Sequence, residues 1–405
     1  MGGPLSGYRV TDLSRAIAGP YGSMLLGDLG AEIIKIEAPV GVTHARPPGP
    51  NHKGESFHYL AFNRNKKSIT LDLGTPSGKE VFYDLVRISD VVWDNFRPGV
   101  LERLGADYET VKKVNPRIIS CSISGYGSNG PYIDRPALDV VAQGIAGTLS
   151  TTGEPGGRPT RPGFPAADVL GGLFAALSAV SALADRERTG EGQRIDVALL
   201  DSMISVMAYD ICYHFLSGIV PGQTGSGHRG LLPYGVYKCK EGYVVIAGSW
   251  PKVARLIGAD SMIDDPRFKE IEDRLKNREE FVQLLEEYLA KETADYWAEL
   301  FHKEQIIGGP VNTLDKTVAD PQVQARNMIL TLPHFLGGEV KLAGNPAKMT
   351  GIEDDKYTAP PVIGQHNDEI LKGLLKYSDE KIRKIREEEQ KHSEELMPHL
   401  QKQTT

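Results

Sequence analysis

Short β-branched apolar runs, each closed by turn residues, recur through the first 124 residues. Tyr8–Leu13, Glu32–Glu37, Ser68–Leu73, Val91–Phe96 and Arg117–Ser124 read as strands on this pattern. Tyr21–Leu29, Ser77–Ser89 and Tyr108–Asn115 read as helices between them, the second opened by Thr75-Pro76 as cap and first-turn proline. Strand and helix in alternation imply parallel strands joined by right-handed crossovers. The expected fold is a doubly wound, Rossmann-like α/β sheet.

Val169–Leu177 is small or aliphatic at nearly every position, and no charge follows until Asp185. That predicts a buried helix. A turn into another strand follows at Gly190–Asp196, then a helical stretch from Ala198 to about Leu216. The pattern breaks at Gly218–Gly230, a glycine-dense linker or loop. Beyond it, Gly235–Cys239 and Tyr243–Gly248 flank Lys240-Glu241-Gly242, a hairpin signal, and charged helices are expected at about Asn277–Lys291 and Ala294–Lys303. The chain thus divides into a large α/β domain (1–217), a linker (218–230), a smaller α+β domain (231–328) and a returning segment (329–405). The stretch Asp379–Gln401, dense in Glu, Lys and Arg, reads as a solvated helix with a narrow apolar edge.

Composition narrows the function classes. A net charge of −7 argues against a nucleic-acid partner, which would call for a basic surplus. Three cysteines without paired spacing fit a reducing cytosol. The N-terminus lacks a basic stretch followed by an apolar core, and no run reads as long enough to span a bilayer, so a cytoplasmic protein without a membrane partner is expected. The ten histidines show no His-x-x-x-His spacing, and no metal is expected. Gly225-Ser226-Gly227-His228-Arg229-Gly230 fits Gly-x-Gly-x-x-Gly, but outside the strand-to-helix setting a dinucleotide fingerprint requires.

The sharpest candidate for chemistry is Asp168, in Gly163-Phe164-Pro165-Ala166-Ala167-Asp168 at the mouth of the apolar helix. It could be an N-cap, accepting hydrogen bonds from free backbone N–H groups. The sharper alternative is a carboxylate nucleophile in a partly dry site. Its surroundings carry further motifs: Asp12-Leu13-Ser14-Arg15-Ala16-Ile17-Ala18-Gly19-Pro20, Leu26–Glu37, Asn63–Leu73, Asp94-Asn95-Phe96-Arg97-Pro98-Gly99, Ser124-Gly125-Tyr126-Gly127, Thr152-Gly153-Glu154-Pro155 and Gly364–Ile370. In order and spacing these resemble the class III CoA-transferase family, which includes formyl-CoA transferase, carnitine CoA-transferase and the α-methylacyl-CoA racemases. The resemblance runs from about Leu5 to about Leu371.

The resemblance implies an interlocked homodimer, no tightly bound cofactor, and CoA or acyl-CoA with a small carboxylic acid as substrates. It implies that Asp168 is the nucleophile and that Asn95, Phe96, Arg97 and Arg103 hold CoA, with the adenine region against Leu71, Asp72 and Leu73. Arginine suits phosphate because its planar fork donates two hydrogen bonds and stays charged. Some relatives carry polar or basic groups where this chain has Ile17 and Ala38; Arg46 or Lys66 is the expected substitute. Racemases of the family carry His-Asp where this chain reads Leu138-Asp139, and leucine cannot move a proton. Transfer is therefore expected rather than racemisation, with a silent CoA-binding paralogue as a further alternative. Asp139 is expected either near the reacting centre or in a salt bridge. Gly225, Gly227, His228 and Arg229 resemble the family's glycine lid, and the His-Arg pair suits an acceptor with a second carboxylate.

Overall fold

The main sheet is built from six short strands. The structure, a computed structural model, describes residues 2–39, 49–352 and 356–401, with side chains described as far as 395. The strands are β1 (Arg9–Asp12), β2 (Glu32–Glu37), β3 (Lys66–Thr70), β4 (Val91–Asp94), β5 (Ile119–Ser124) and β6 (Arg194–Ala198). All pair in parallel, in the order 3-2-1-4-5-6. In β2 and β4 neighbouring residues serve opposite cores: Ile33, Val91 and Trp93 face one, Ile34 and Val92 the other. This is the pattern of a sheet covered on both faces.

One face is covered by α1 (Ala18–Asp28); the other by α2 (Pro76–Arg87) and α3 (Tyr108–Val114). Helix α2 opens as expected, with Thr75 accepting from the Gly78 N–H and Pro76 in the first turn. The short α4 (Asp139–Ile145) precedes α5 (Ala166–Thr189), which joins the α1 layer. Both α1 and α5 carry glycine where they cross. A Cβ on Gly172 would stand 2.4 Å from the Ala18 carbonyl oxygen, and one on Gly22 would stand 2.6 Å from that of Gly172. No larger residue fits either position. Contrary to the sequence expectation, α5 is long and apolar enough to cross a membrane. Half of that apolar stretch is buried, and Ala175, Ala179 and Leu183 lie in the sheet's core.

Two compact units divide the chain. The first comprises Met1–Ala146, Gly163–Ile211 and Ala325–Thr405; the second, Gly147–Pro162 and Cys212–Gln324. The expected single helix from Ala198 to Leu216 is two, Leu199–Val206 and Ala208–Ser217. In the second unit the hairpin forms as expected: Tyr234–Lys238 pairs antiparallel with Tyr243–Ala247. It packs on Phe281, Leu285, Trp297 and Phe301 from the helices Arg278–Leu289 and Ala294–Lys303. The last helix, α6 (Asp379–Gln401), buries Ile385 in the first unit's core, the narrow apolar edge expected of it. It also bonds the end of β3: Glu389 accepts from the Asp72 N–H, and Arg386 donates to the Thr70 carbonyl.

Candidate active site

Crossover helices run against the parallel strands they connect, so α1 and α5 both start at the carboxyl edge of the sheet. The strand order reverses between β1 and β4, and open α/β sheets bind ligands outside the carboxyl ends at such a reversal. The loop after β1 and the loop after β4 meet there. Asn95 accepts from the Arg15 N–H at 2.8 Å and donates to the Arg15 carbonyl at 2.8 Å. The Arg15 guanidinium lies over the Phe96 ring, 5.3 Å from its centroid. Buried Asp94 accepts from the Phe96 N–H and from Ser122, which fixes the turn; burial pushes its carboxyl up to about 6.

Asp168 is the third residue of α5, one turn (about 5.4 Å) before Gly172 and on the same face. Since Gly172 touches Ala18, Asp168 stands beside the start of α1, at the same edge. It is not the cap of its helix. Pro165 occupies that position, and the capping carboxylate is Asp139, which accepts from the N–H groups of Ala167 at 2.8 Å and Asp168 at 3.3 Å. Gln143 holds the other Asp139 oxygen at 2.6 Å. The salt-bridge alternative for Asp139 is thereby replaced by a capping role 28 residues away in sequence. The Asp168 carboxylate has no hydrogen-bond donor among the described residues. Burial, and then the Asp139 charge, push it up to about 7. A carboxylate so placed is half-ionised near neutral pH, poorly solvated, and free to attack an electrophile.

Arg97 and Arg103 are exposed and follow β4, on the same edge. Leu138 is 74 % exposed just before α4 and brings no titratable group. Leu71, Asp72 and Leu73 are buried. The Asp72 N–H is taken by Glu389 and its carboxylate lies 2.6 Å from His392, so α6 covers this strand end. Lys66 cannot substitute for a missing CoA contact: it is buried against Asp12 (3.2 Å), the Pro20 carbonyl and Asn63. Arg46 lies outside the described residues. Ile17 is the residue just before α1, and Ala38 follows β2; neither offers a polar side chain.

The glycine-rich loop belongs to the second unit and packs on Gly153-Glu154. Gly225 donates to the Gly153 carbonyl, has φ +60°, and leaves only 2.8 Å between an added Cβ and Glu154, so glycine is required there. A Cβ on Gly227 would meet Arg278 at 2.7 Å. His228 accepts from the Gly230 N–H and faces Tyr234; Arg229 donates to the Gly222 carbonyl and lies over Tyr213.

Residues 5–367 match the model of CoA-transferase family III. The chain is 34 % identical to the human succinyl-CoA:glutarate CoA-transferase over 94 % of its own length and 88 % of the relative's. It is 36 % identical to the acetyl-CoA:oxalate CoA-transferase of Acetobacter aceti, over 87 % and 90 %. A crystal structure of a CAIB/BAIF family protein from Brucella suis superposes with a TM-score of 0.83 at 36 % identity, covering 92 % of this chain and all of that one. A sheet that opens at β1 and β4, a dry carboxylate beside that opening, and relatives that agree along nearly the whole length lead to one assignment: the chain belongs to CoA-transferase family III and is a CoA-transferase.

Proposed function

We propose that the enzyme moves CoA from an acyl-CoA donor to a carboxylic acid acceptor through covalent intermediates on Asp168. The observation that carries this reading is the half-buried, donor-free carboxylate of Asp168 at the carboxyl edge of the sheet. A carboxylate oxygen attacks the thioester carbonyl, the C–S bond breaks, and an aspartyl–acyl anhydride forms with CoA thiolate. The thiolate attacks the Asp168 carbonyl and releases the donor acid, leaving an aspartyl-CoA thioester. The acceptor carboxylate displaces the thiolate to make a second anhydride, and the thiolate opens that at the acceptor carbonyl. The new acyl-CoA departs and the carboxylate is restored. Each step exchanges one activated carbonyl for another, so the thioester's energy is kept. Exclusion of water protects the anhydrides.

The Rossmann-like reading is supported by the strand order 3-2-1-4-5-6, that of dinucleotide-binding sheets. A homodimer is supported by exposed apolar side chains, Leu173 and Leu177 on α5 and Val141 and Ile145 on α4. We place the enzyme in the cytosol. The acceptor is read as a small dicarboxylate, since the relatives' names include glutarate and oxalate and the loop carries His228 and Arg229. Acceptor competition tests this: succinate should outcompete butyrate in the wild type, and Arg229→Ala should shrink the ratio. Butyrate winning in the wild type would overturn the dicarboxylate reading.

Asp139 sets the pH dependence. Asp168 must be ionised to attack, so kcat/KM should rise with pH through about 7. Asp139→Asn keeps an oxygen for the Ala167 N–H but removes the neighbouring charge. The Asp168 carboxyl then falls, and the acid limb should move to lower pH. A pH–rate profile checks this; an unmoved limb would mean that Asp139 does not tune the nucleophile.

A further inference from the structure

Gln143 is fully buried in α4, one turn after Asp139, and only half of its amide is used. Its Nε2 donates to the Asp139 carboxylate at 2.6 Å, while its Oε1 is buried with no donor among the described residues. A buried unpaired carbonyl is costly, and an apolar side chain of similar size would fill the space without that cost. What an amide adds at this position is therefore its N–H. That donor is the third on Asp139: Gln143 bonds one carboxylate oxygen, and the Ala167 and Asp168 N–H groups bond the other. The neighbouring Asp168 carboxylate has no donor among the described residues. Of two acids that repel, the one with donors keeps its charge and the one without takes the proton.

We propose that Gln143 is a positioning residue, holding Asp139 as the lasting anion of the pair and so assigning the exchangeable proton to Asp168. It acts through Asp139, and the inference rests on Asp168 being the nucleophile. The elements packed chiefly on α4 and α5 are α1, β5, β6 and the helix Leu199–Val206, and their titratable groups are Tyr21, Asp28, Cys121, Arg194, Asp196 and Asp201. None of these moves the Asp168 carboxyl; burial and the Asp139 charge do. What happens at Asp139 is therefore passed directly to the nucleophile. Without the Gln143 donor, Asp139 keeps two N–H bonds, holds its charge less firmly and takes up part of the proton. Asp168 is then ionised, and ready to attack, at lower pH.

The test reads the proton on Asp168 without relying on turnover. Carbodiimide labels protonated carboxyl groups, so mass-spectrometric labelling of Asp168 in the full chain, followed across pH, gives its midpoint. The pH profile of kcat/KM runs alongside. The wild-type midpoint should lie at about 7. Gln143→Leu should lower it by about 0.5–1 in pH, about a threefold to tenfold loss of proton affinity, which is a share of what a charge-assisted bond is worth. Gln143→Met, unbranched like glutamine, should match it and guards against a Leu variant that folds poorly. Asp139→Asn should lower the midpoint at least as far, and Asp139→Asn combined with Gln143→Leu no further. Unmoved midpoints in both Gln143 variants overturn the proposal, since a residue that only packs would lower the plateau rate and leave the midpoint in place. So does a double variant that falls beyond Asp139→Asn alone, which would mean that Gln143 reaches Asp168 by another route. Turnover surviving in Asp168→Ala would sink the nucleophile reading instead, and the labelling would still judge Gln143.

Discussion

Replacing Asp168 by Ala should abolish CoA transfer, lowering kcat by more than about a thousandfold, while CoA affinity stays within a few-fold. Loss of a nucleophile removes the whole covalent route, so the residual rate reflects binding alone. The residues proposed to hold the nucleotide lie elsewhere, so affinity should have little to lose. Hydroxylamine should trap the wild-type enzyme at Asp168 after incubation with acyl-CoA, and should trap nothing in the variant. Turnover near wild type in Asp168→Ala would end the aspartyl mechanism.

A second large effect is expected under the active edge. Lys66→Ala strips the buried Asp12 carboxylate of its ion-pair partner, and breaking such a pair costs about 3–5 kcal/mol. In a unit of this size that lowers Tm by roughly 5–9 °C. Burial alone would raise the Asp12 carboxyl, but Lys66, Lys35 and the Ser14 and Ser23 hydroxyls bring it down to about 2. Burial brings the Lys66 ammonium down to about 7, so the stability this ion pair gives is present between about pH 4 and 7 and fades as pH falls toward 2. In Lys66→Ala part of it is already gone, and acid should destabilise the variant less. Adding Asp12→Asn to Lys66→Ala should recover part of the loss, since it removes the stranded charge. A Lys66→Ala variant that melts within a degree of the wild type would mean the pair contributes nothing net.

Where the sequence was legible, the cause was local. β-Branched runs, the Thr75-Pro76 start and the hairpin at Lys240–Gly242 are set by neighbours in the chain, and they appear where expected except for the third strand, read as Ser68–Leu73 and found at Lys66–Thr70. Asp168 stood out as an acid at the edge of an apolar run, but that local reading favoured a helix cap, a role the structure gives to Asp139; its reading as nucleophile came from the resemblance. What escaped depends on contacts across the fold. Asp139 caps a helix 28 residues further on, and no local pattern announces that. Lys66 was expected to stand in for a missing CoA contact, yet its neighbour Lys67 is the half-exposed one while Lys66 is buried. Asp12, Lys35 and Lys66 did carry a usable signal: each is a lone charge in or beside an apolar strand, which needs a buried partner. The Ala198–Leu216 stretch reads as continuous because its break at Met207 contains neither proline nor glycine. Leu71–Leu73 were expected to face a ligand, and the charged tail that covers them gave no sign of its target.

The clamp of α6 on β3 has a consequence for synthesis. Glu389 lies 317 residues after Asp72, whose N–H it receives, and His366 and Asn367 bond Ser68 and Thr70 in the same way. At about 5–20 residues per second, a ribosome leaves this edge of the sheet uncovered for roughly 16–60 s after the strand emerges. The second unit, contained within residues 147–324, can close during that wait. Nascent chains are therefore most exposed to strand-edge aggregation late in translation, and a stop codon before Gly364, which removes both the His366–Asn367 bonds and α6, would leave that edge open for the life of the molecule.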